Sequence, residues 1–469
     1  MSRQARRALA LVIAVAALAA LAVLLAPPRE EIAPSPTAAP EKVFGAGTVR
    51  SVAIENALDS YEVSEGSVTG VPADILDAER MGELLKQFDG LKPAKTVDAP
   101  AKDLSIYGLE PAAATVAVTY EGGEALKFLI GDRERVSGNY YFRLDGESAV
   151  YLMHSGQAER LLGSREDWIM SLVTPYCRAA SALGAVTDIE FKRPDGEIAI
   201  RSCANPTEDM KREMLSFGAV THVLEGPVLH ELDRTYALSV FESLFGMQAT
   251  EIVAYGLDDG GMAAYGLDRP DMVVSFGMRN GDLPDTPIEQ WELRAVDGGS
   301  GTALISTGSG AVYRVSRPAF LDARYEKLAS RWFFSPLLAD LKALVIEADG
   351  RTYAYGLSGT ASALAVSKDG RALDPARFRE FYSLIVSAAS DGEYLGLSAP
   401  AGEPVLAVRY SYLDPAKPDD VLALYPTGGR TLLASKNGAA EFAVREKYAS
   451  AVRAAMAALD RGEPIAQTW

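Results

Sequence analysis

Tyr-Gly-Leu-x-Pro occurs in three near-copies along this chain, each ahead of a strand-rich stretch. The copies read Tyr107-Gly108-Leu109-Glu110-Pro111, Tyr265-Gly266-Leu267-Asp268-Arg269-Pro270 and Tyr394-Leu395-Gly396-Leu397-Ser398-Ala399-Pro400. A motif repeated at domain-sized intervals marks a duplicated packing unit. At about 150 residues per domain the 469-residue length also predicts three units. Glycine supplies a positive φ or a close chain approach, the flanking Tyr and Leu act as apolar anchors, and proline fixes the exit into the next strand. The tripeptide without the proline recurs at Tyr255-Gly256-Leu257 and Tyr355-Gly356-Leu357 and carries less weight.

The surroundings of each motif repeat as well. In the first unit, alternation and Gly-containing turns predict strands at 114–120, 126–130, 140–144 and 149–153, a loop at Gly131-Asp132 and a closing helix over 157–168. The second unit has strands at 272–278, 290–295, 302–306 and 311–315 and a helix over 318–330 opened by Pro318. The third has strands at 405–410, 421–425, 431–434 and 441–444 and a helix over 445–461. A lead hairpin and a helix precede each motif, at 51–63 and 77–88, 188–201 and 237–245, and 343–367 and 375–388. The expected fold class is α+β, with three tandem units, each an antiparallel β-meander packed with helices, at 43–176, 177–335 and 336–469.

Ala8 to Ala26 is an unbroken apolar run preceded by Arg3, Arg6 and Arg7. At 1.5 Å per residue a helix of that length just crosses a hydrocarbon layer of roughly 30 Å. A cleaved signal peptide is the rival reading, but the run exceeds the usual signal core and Pro27-Pro28 stands where a small-residue cleavage site belongs. The expectation is a basic cytoplasmic tail (1–7), a transmembrane helix (8–26) and a Pro-rich tether (27–42). The bulk of the chain then lies outside the cell membrane.

The formal charge of −17 repels nucleic acid and anionic lipid. Cys177 and Cys203 bracket a predicted hairpin, so in an oxidising compartment they can pair, the alternative being two free thiols. Chemistry has few candidates. The histidines are His154, His222 and His230, and His230-Glu231 lacks the second His of a zinc-protease helix. The glycine pairs 45/47, 299/301 and 308/310 lack the third glycine of a dinucleotide loop, and no serine elbow occurs. Asp258-Asp259 and Asp414 with Asp419-Asp420 are the densest carboxylates, read as solvated loop charge rather than a cation or catalytic site. No catalytic, cofactor or metal residue is assigned.

The Tyr-Gly-Leu-x-Pro opening, Phe128-Leu129-Ile130-Gly131-Asp132, Tyr140-Tyr141-Phe142-Arg143-Leu144 and Val150-Tyr151-Leu152 together resemble the bacterial domain-of-unknown-function family 4340. The resemblance implies a membrane-anchored extracytoplasmic protein associated with permease and auxiliary subunits of a gliding-motility-type ABC transporter, and supplies no catalytic residues. The expected function is a non-enzymatic accessory or scaffold of such a transport complex. The alternatives are a module that binds an envelope polymer or peptide through tyrosine-lined grooves or sheet edges and, ranked last, a carboxylate-based hydrolase.

Overall fold

A computed structural model describes residues 42–469 apart from 219, 282, 284, 361, 393, 397 and 399. The expected cytoplasmic tail, transmembrane helix and all but the last residue of the tether lie outside the described residues, as do Leu397 and Ala399 of the third motif. Among the described residues no helix is long and apolar enough to cross a membrane. Three antiparallel sheets with helices account for the fold, in agreement with the α+β expectation.

The first sheet holds β1 (Val49–Asn56), β2 (Ser60–Ser64), β3 (Ser67–Val68), β4 (Lys95–Asp98), β5 (Ala114–Tyr120), β6 (Ala125–Arg133), β7 (Tyr140–Leu144) and β8 (Val150–Met153), in the order β3-β2-β1-β5-β6-β7-β8-β4. Strand β5 alternates strictly, burying Ala114, Val116, Val118 and Tyr120. The helix Ala78–Gln87 buries Met81 and Leu84, one turn apart on one face, as it joins β3 to β4. The lead strands therefore lie on one side of β5 and β4 closes the far edge beside β8. The Tyr-Gly-Leu-x-Pro segment brings the chain back from that edge to the middle.

The second and third sheets repeat this plan. The second contains β9 (Val186–Arg193), β10 (Gly196–Ser202), β11 (His222–Leu224), β12 (His230–Glu231), β13 (Ala249–Ala254), β14 (Met272–Arg279), β15 (Ile288–Gly299), β16 (Thr302–Ser306) and β17 (Val312–Ser316), ordered β12-β11-β10-β9-β14-β15-β16-β17-β13. The third contains β18 (Leu341–Ala348), β19 (Arg351–Ser358), β20 (Ala365–Lys368), β21 (Arg371–Leu373), β22 (Leu406–Tyr412), β23 (Asp420–Pro426), β24 (Thr431–Lys436) and β25 (Ala439–Arg445), ordered β21-β20-β19-β18-β22-β23-β24-β25. Its far edge is reduced to two isolated bridges, Tyr394 to Phe442 and Ser398 to Ala439.

Residues cluster into two compact bodies. Among the described residues the first comprises 42–69 and Ala78–Asp167, with one sheet; the second comprises Gly70–Asp77 and 168–469, with two. In the second body both sheets contribute to one continuous core. The helix Glu446–Arg461 feeds that core with Tyr448, Ala449, Val452, Ala455, Met456 and Leu459, a helical spacing, and stops at Gly462 in the left-handed region.

Three sequence expectations need correction. The helix expected over 157–168 is a short helix, Ser155–Glu159, then an irregular stretch and a single 3-10 turn, Arg165–Trp168. Asn56 Nδ2 donates to the Leu161 and Gly163 carbonyls at 3.2 and 2.8 Å, so those acceptors leave the helical ladder. The helix expected over 318–330 is likewise split into Ala319–Asp322 and Tyr325–Leu328, because Arg193 takes the Leu321 carbonyl and the Tyr236 hydroxyl takes that of Asp322. Gly131-Asp132 is no loop but a bulge inside β6, where the pairing with β7 slips between Ile130 and Arg133.

Candidate functional site

The motif residues build a chain joint. Gly108, Gly266 and Gly396 all sit at positive φ, 63°, 75° and 58°. In the first two copies the amide of the glycine bonds back three residues and that of the leucine five, Gly108 to Ser105 and Leu109 to Leu104, Gly266 to Ala263 and Leu267 to Met262, all within 3.2 Å. This is the pattern that stops a helix with a left-handed glycine. Leu109 and Leu267 are buried behind it, and Pro111 and Pro270 lead towards β5 and β14. By contrast Gly356 lies within β19, so the bare tripeptide does not dictate the conformation.

Two motif segments meet in the first body. A Cβ on Gly131 would overlap the Tyr107 carbonyl oxygen, and one on Gly108 would overlap Asp132. The Tyr107 hydroxyl donates to Asp98 at 3.0 Å, and its ring meets Tyr141 edge-on at 5.0 Å. Tyr265 packs beside the small cluster of Met262, Leu267 and Val312, and Tyr394 against Tyr325 and Phe442 at 5.0 and 5.5 Å. All three motif tyrosines are half-buried and engaged inside the protein.

The histidines and carboxylates take structural positions. His154 is exposed, whereas His222 is buried with Nε2 3.1 Å from the Val186 carbonyl oxygen. His230 lies in a nest of Phe217, Tyr325, Phe333 and Phe442, and burial together with the nearby Lys436 cation holds its imidazole pKa well below the ordinary value. Lys436 is itself buried, donates to the Leu229 carbonyl at 2.7 Å and stands over the rings of Phe217 and Phe334. Asp258 caps the helix Asp259–Ala263, and Asp414 accepts from the Ala416 amide. Asp420 is not solvated loop charge: it opens β23, is 2% exposed, and accepts from Ser216, Tyr412, Lys417 and Asn437. Cys177 and Cys203 are both free, half-buried and buried respectively, and burial pushes the Cys203 thiol up. Among the described residues no group of three His, Cys, Asp or Glu could hold a metal ion.

The second body has an open cleft of about 660 Å³ beside the third sheet, lined by Arg430, Arg445 and Lys447 together with Asp391, Glu446 and Trp469. The register explains how it arises. Tyr140 pairs with Met153, Thr302 with Ser316 and Thr431 with Arg445, so Asn139, Gly301 and Arg430 are equivalent, as are Ser155, Pro318 and Lys447. In the first sheet this corner is closed by the Asn139 side chain accepting from the Ser155 amide at 3.3 Å. In the second, Arg317 is held by Asp297 and Asp322 at 2.8 to 2.9 Å. The third has arginine in the place of Asn139, a group that donates and cannot accept. Sequence reasoning did not find this corner, since its cations are spread over β23–β24, β25 and the following helix.

Residues 70–270 match the family described as Domain of unknown function (DUF4340), in agreement with the resemblance carried by the motifs of the first unit. No curated protein and no solved structure matches the chain.

Proposed function

We propose that this chain is a non-enzymatic, membrane-tethered extracytoplasmic accessory or scaffold protein, and that it serves an ABC-type transport complex. The observation that supports this reading most directly is the use to which the recurring residues are put. Tyr107, Gly108, Leu109 and Gly131 close a joint between backbone segments, Gly266 makes the same left-handed turn, and Gly396 shares its positive φ. What is multiplied is a sheet with its loops, which is a surface for contacts. The link to transport components rests on the family resemblance, and the membrane tether on the apolar run at 8–26. Affinity purification of the full chain from detergent-solubilised membranes should bring down permease subunits; repeated recovery of the chain alone overturns the reading.

The alternative, a module that binds an envelope polymer or peptide, is favoured by the open cleft at Arg430 and Lys447. The motif tyrosines do not support it, since each is engaged in internal contacts.

A further inference from the structure

We infer that the cleft beside the third sheet is a docking site for an acidic peptide segment of a partner protein. This deepens the scaffold reading and rests on it. Charge complementarity is the main argument. On a chain of net charge −17, Arg430, Arg445 and Lys447 converge on one open cleft of about 660 Å³. Arg445 is bonded to Asp391 at 2.8 Å, which leaves two cations, Arg430 and Lys447, against one carboxylate, Glu446, in the cleft lining. Both are exposed, and among the described residues neither has a carboxylate partner.

The equivalent corner of the second sheet shows what such a position takes. There Arg317 holds Asp297 through Nε and Asp322 through both terminal nitrogens. In the third sheet Arg430 and Lys447 stand where the second has Gly301 and Pro318, and neither has a carboxylate of this chain bonded to it among the described residues, so the complement comes from outside. Planar, forked donors such as arginine match carboxylates in pairs. Trp469 adds an apolar wall whose position is fixed by its Nε1 bond to Ser387 at 2.9 Å and its edge contact with Tyr448. Carboxylates beside an apolar side chain are the pattern that fits both walls, and an acidic peptide carries it.

The experiment is a fluorescence-polarisation titration of the full chain with a labelled Asp-Leu-Glu-Phe-Asp-Glu peptide, at low and high salt, with a lysine-for-acid counterpart as control. The double variant Arg430→Glu/Lys447→Glu should weaken binding of the acidic peptide by about tenfold or more, equivalent to roughly 1.4 kcal/mol. Both side chains are exposed, and an unchanged melting temperature verifies the fold. Salt should weaken the wild-type interaction. Equal binding by the variant, equal binding of the lysine peptide, or full displacement by inorganic phosphate overturns the proposal. If permease subunits co-purify equally with wild type and variant, the scaffold reading stands and the cleft proposal falls. If the peptide binds but no permease subunit co-purifies, the scaffold reading falls alone.

Discussion

The first body and the second are made from the same strand order and are held in different ways. In the first, one sheet is fixed by close backbone fit, where the Gly108 turn sits against the Gly131 bulge. In the second, two sheets share a core that contains buried charge: Asp420 on Lys417, Ser216, Tyr412 and Asn437, and Lys436 beside the His230 nest. Ser216 precedes the second sheet's β11 while Asp420 opens β23, so the buried carboxylate also ties the two sheets together. A recurring strand order is thus fixed by different means in the two bodies.

The largest way to break that contrast is Asp420→Ala. It strands the buried Lys417 cation and should cost about 3 to 5 kcal/mol. All four tryptophans, 168, 291, 332 and 469, belong to the second body, so urea unfolding followed by their fluorescence reads this loss directly. An unchanged midpoint would remove the case for a polar tie.

In the first body the corresponding change is Gly131→Ala, whose new methyl meets the Tyr107 carbonyl, a backbone atom that cannot swing away. A cost of about 3 kcal/mol is expected, at the upper end for overpacking, and hydrogen exchange at β5–β8 amides is the measurement.

Acid should separate the bodies next. His230 has a folded pKa below its unfolded one, through burial and Lys436, so the unfolded chain binds the proton first. Stability is complete above the ordinary imidazole pKa of about 6.5 and is lost as pH falls from there towards the folded value, by at most about 1.4 kcal/mol per pH unit. Glu231, half-buried next to it, is shifted up, mainly by its own burial. Tryptophan-detected midpoints should drop between neutrality and pH 5, and His230→Phe should flatten the His230 part of that slope.

The smallest effect sharpens the comparison within one motif. Gly108→Ala and Gly396→Ala share a left-handed strain of about 1 to 2 kcal/mol, but only the first also strikes backbone, so it should cost more. Gly356→Ala, in a strand and facing the mobile hydroxyl end of Ser367, should stay within about 0.5 kcal/mol, as a substitution away from special backbone does.

Much of this architecture was legible in the residues. Alternation and Gly turns placed β5, β7 and β16, and the 3.6-residue spacing after Arg445 placed the last helix. The closing segments of the first two units were misread because Asn56, Arg193 and Tyr236, distant in sequence, capture their carbonyls. The far-edge strand β4 escaped notice because Lys95–Asp98 is short and largely exposed and shows no alternation. Asp420 looked like loop charge since its four partners come from three separate stretches. The cleft depends on register between strands, which no local pattern carries.

In the first two sheets the strand that seals the meander precedes it in the chain, and this sets an order of assembly. Hairpins β5–β6 and β7–β8 form between neighbours, at the small entropic cost of short loops. The pairing of β1 with β5 and of β4 with β8 must wait for that nucleus, since each joins segments about fifty to seventy residues apart, the slow kind of contact. Until β4 arrives, the outer edge of β8 offers its unpaired N–H and C=O groups to any other strand in reach, so the docking of β4 is also the step that makes this sheet safe.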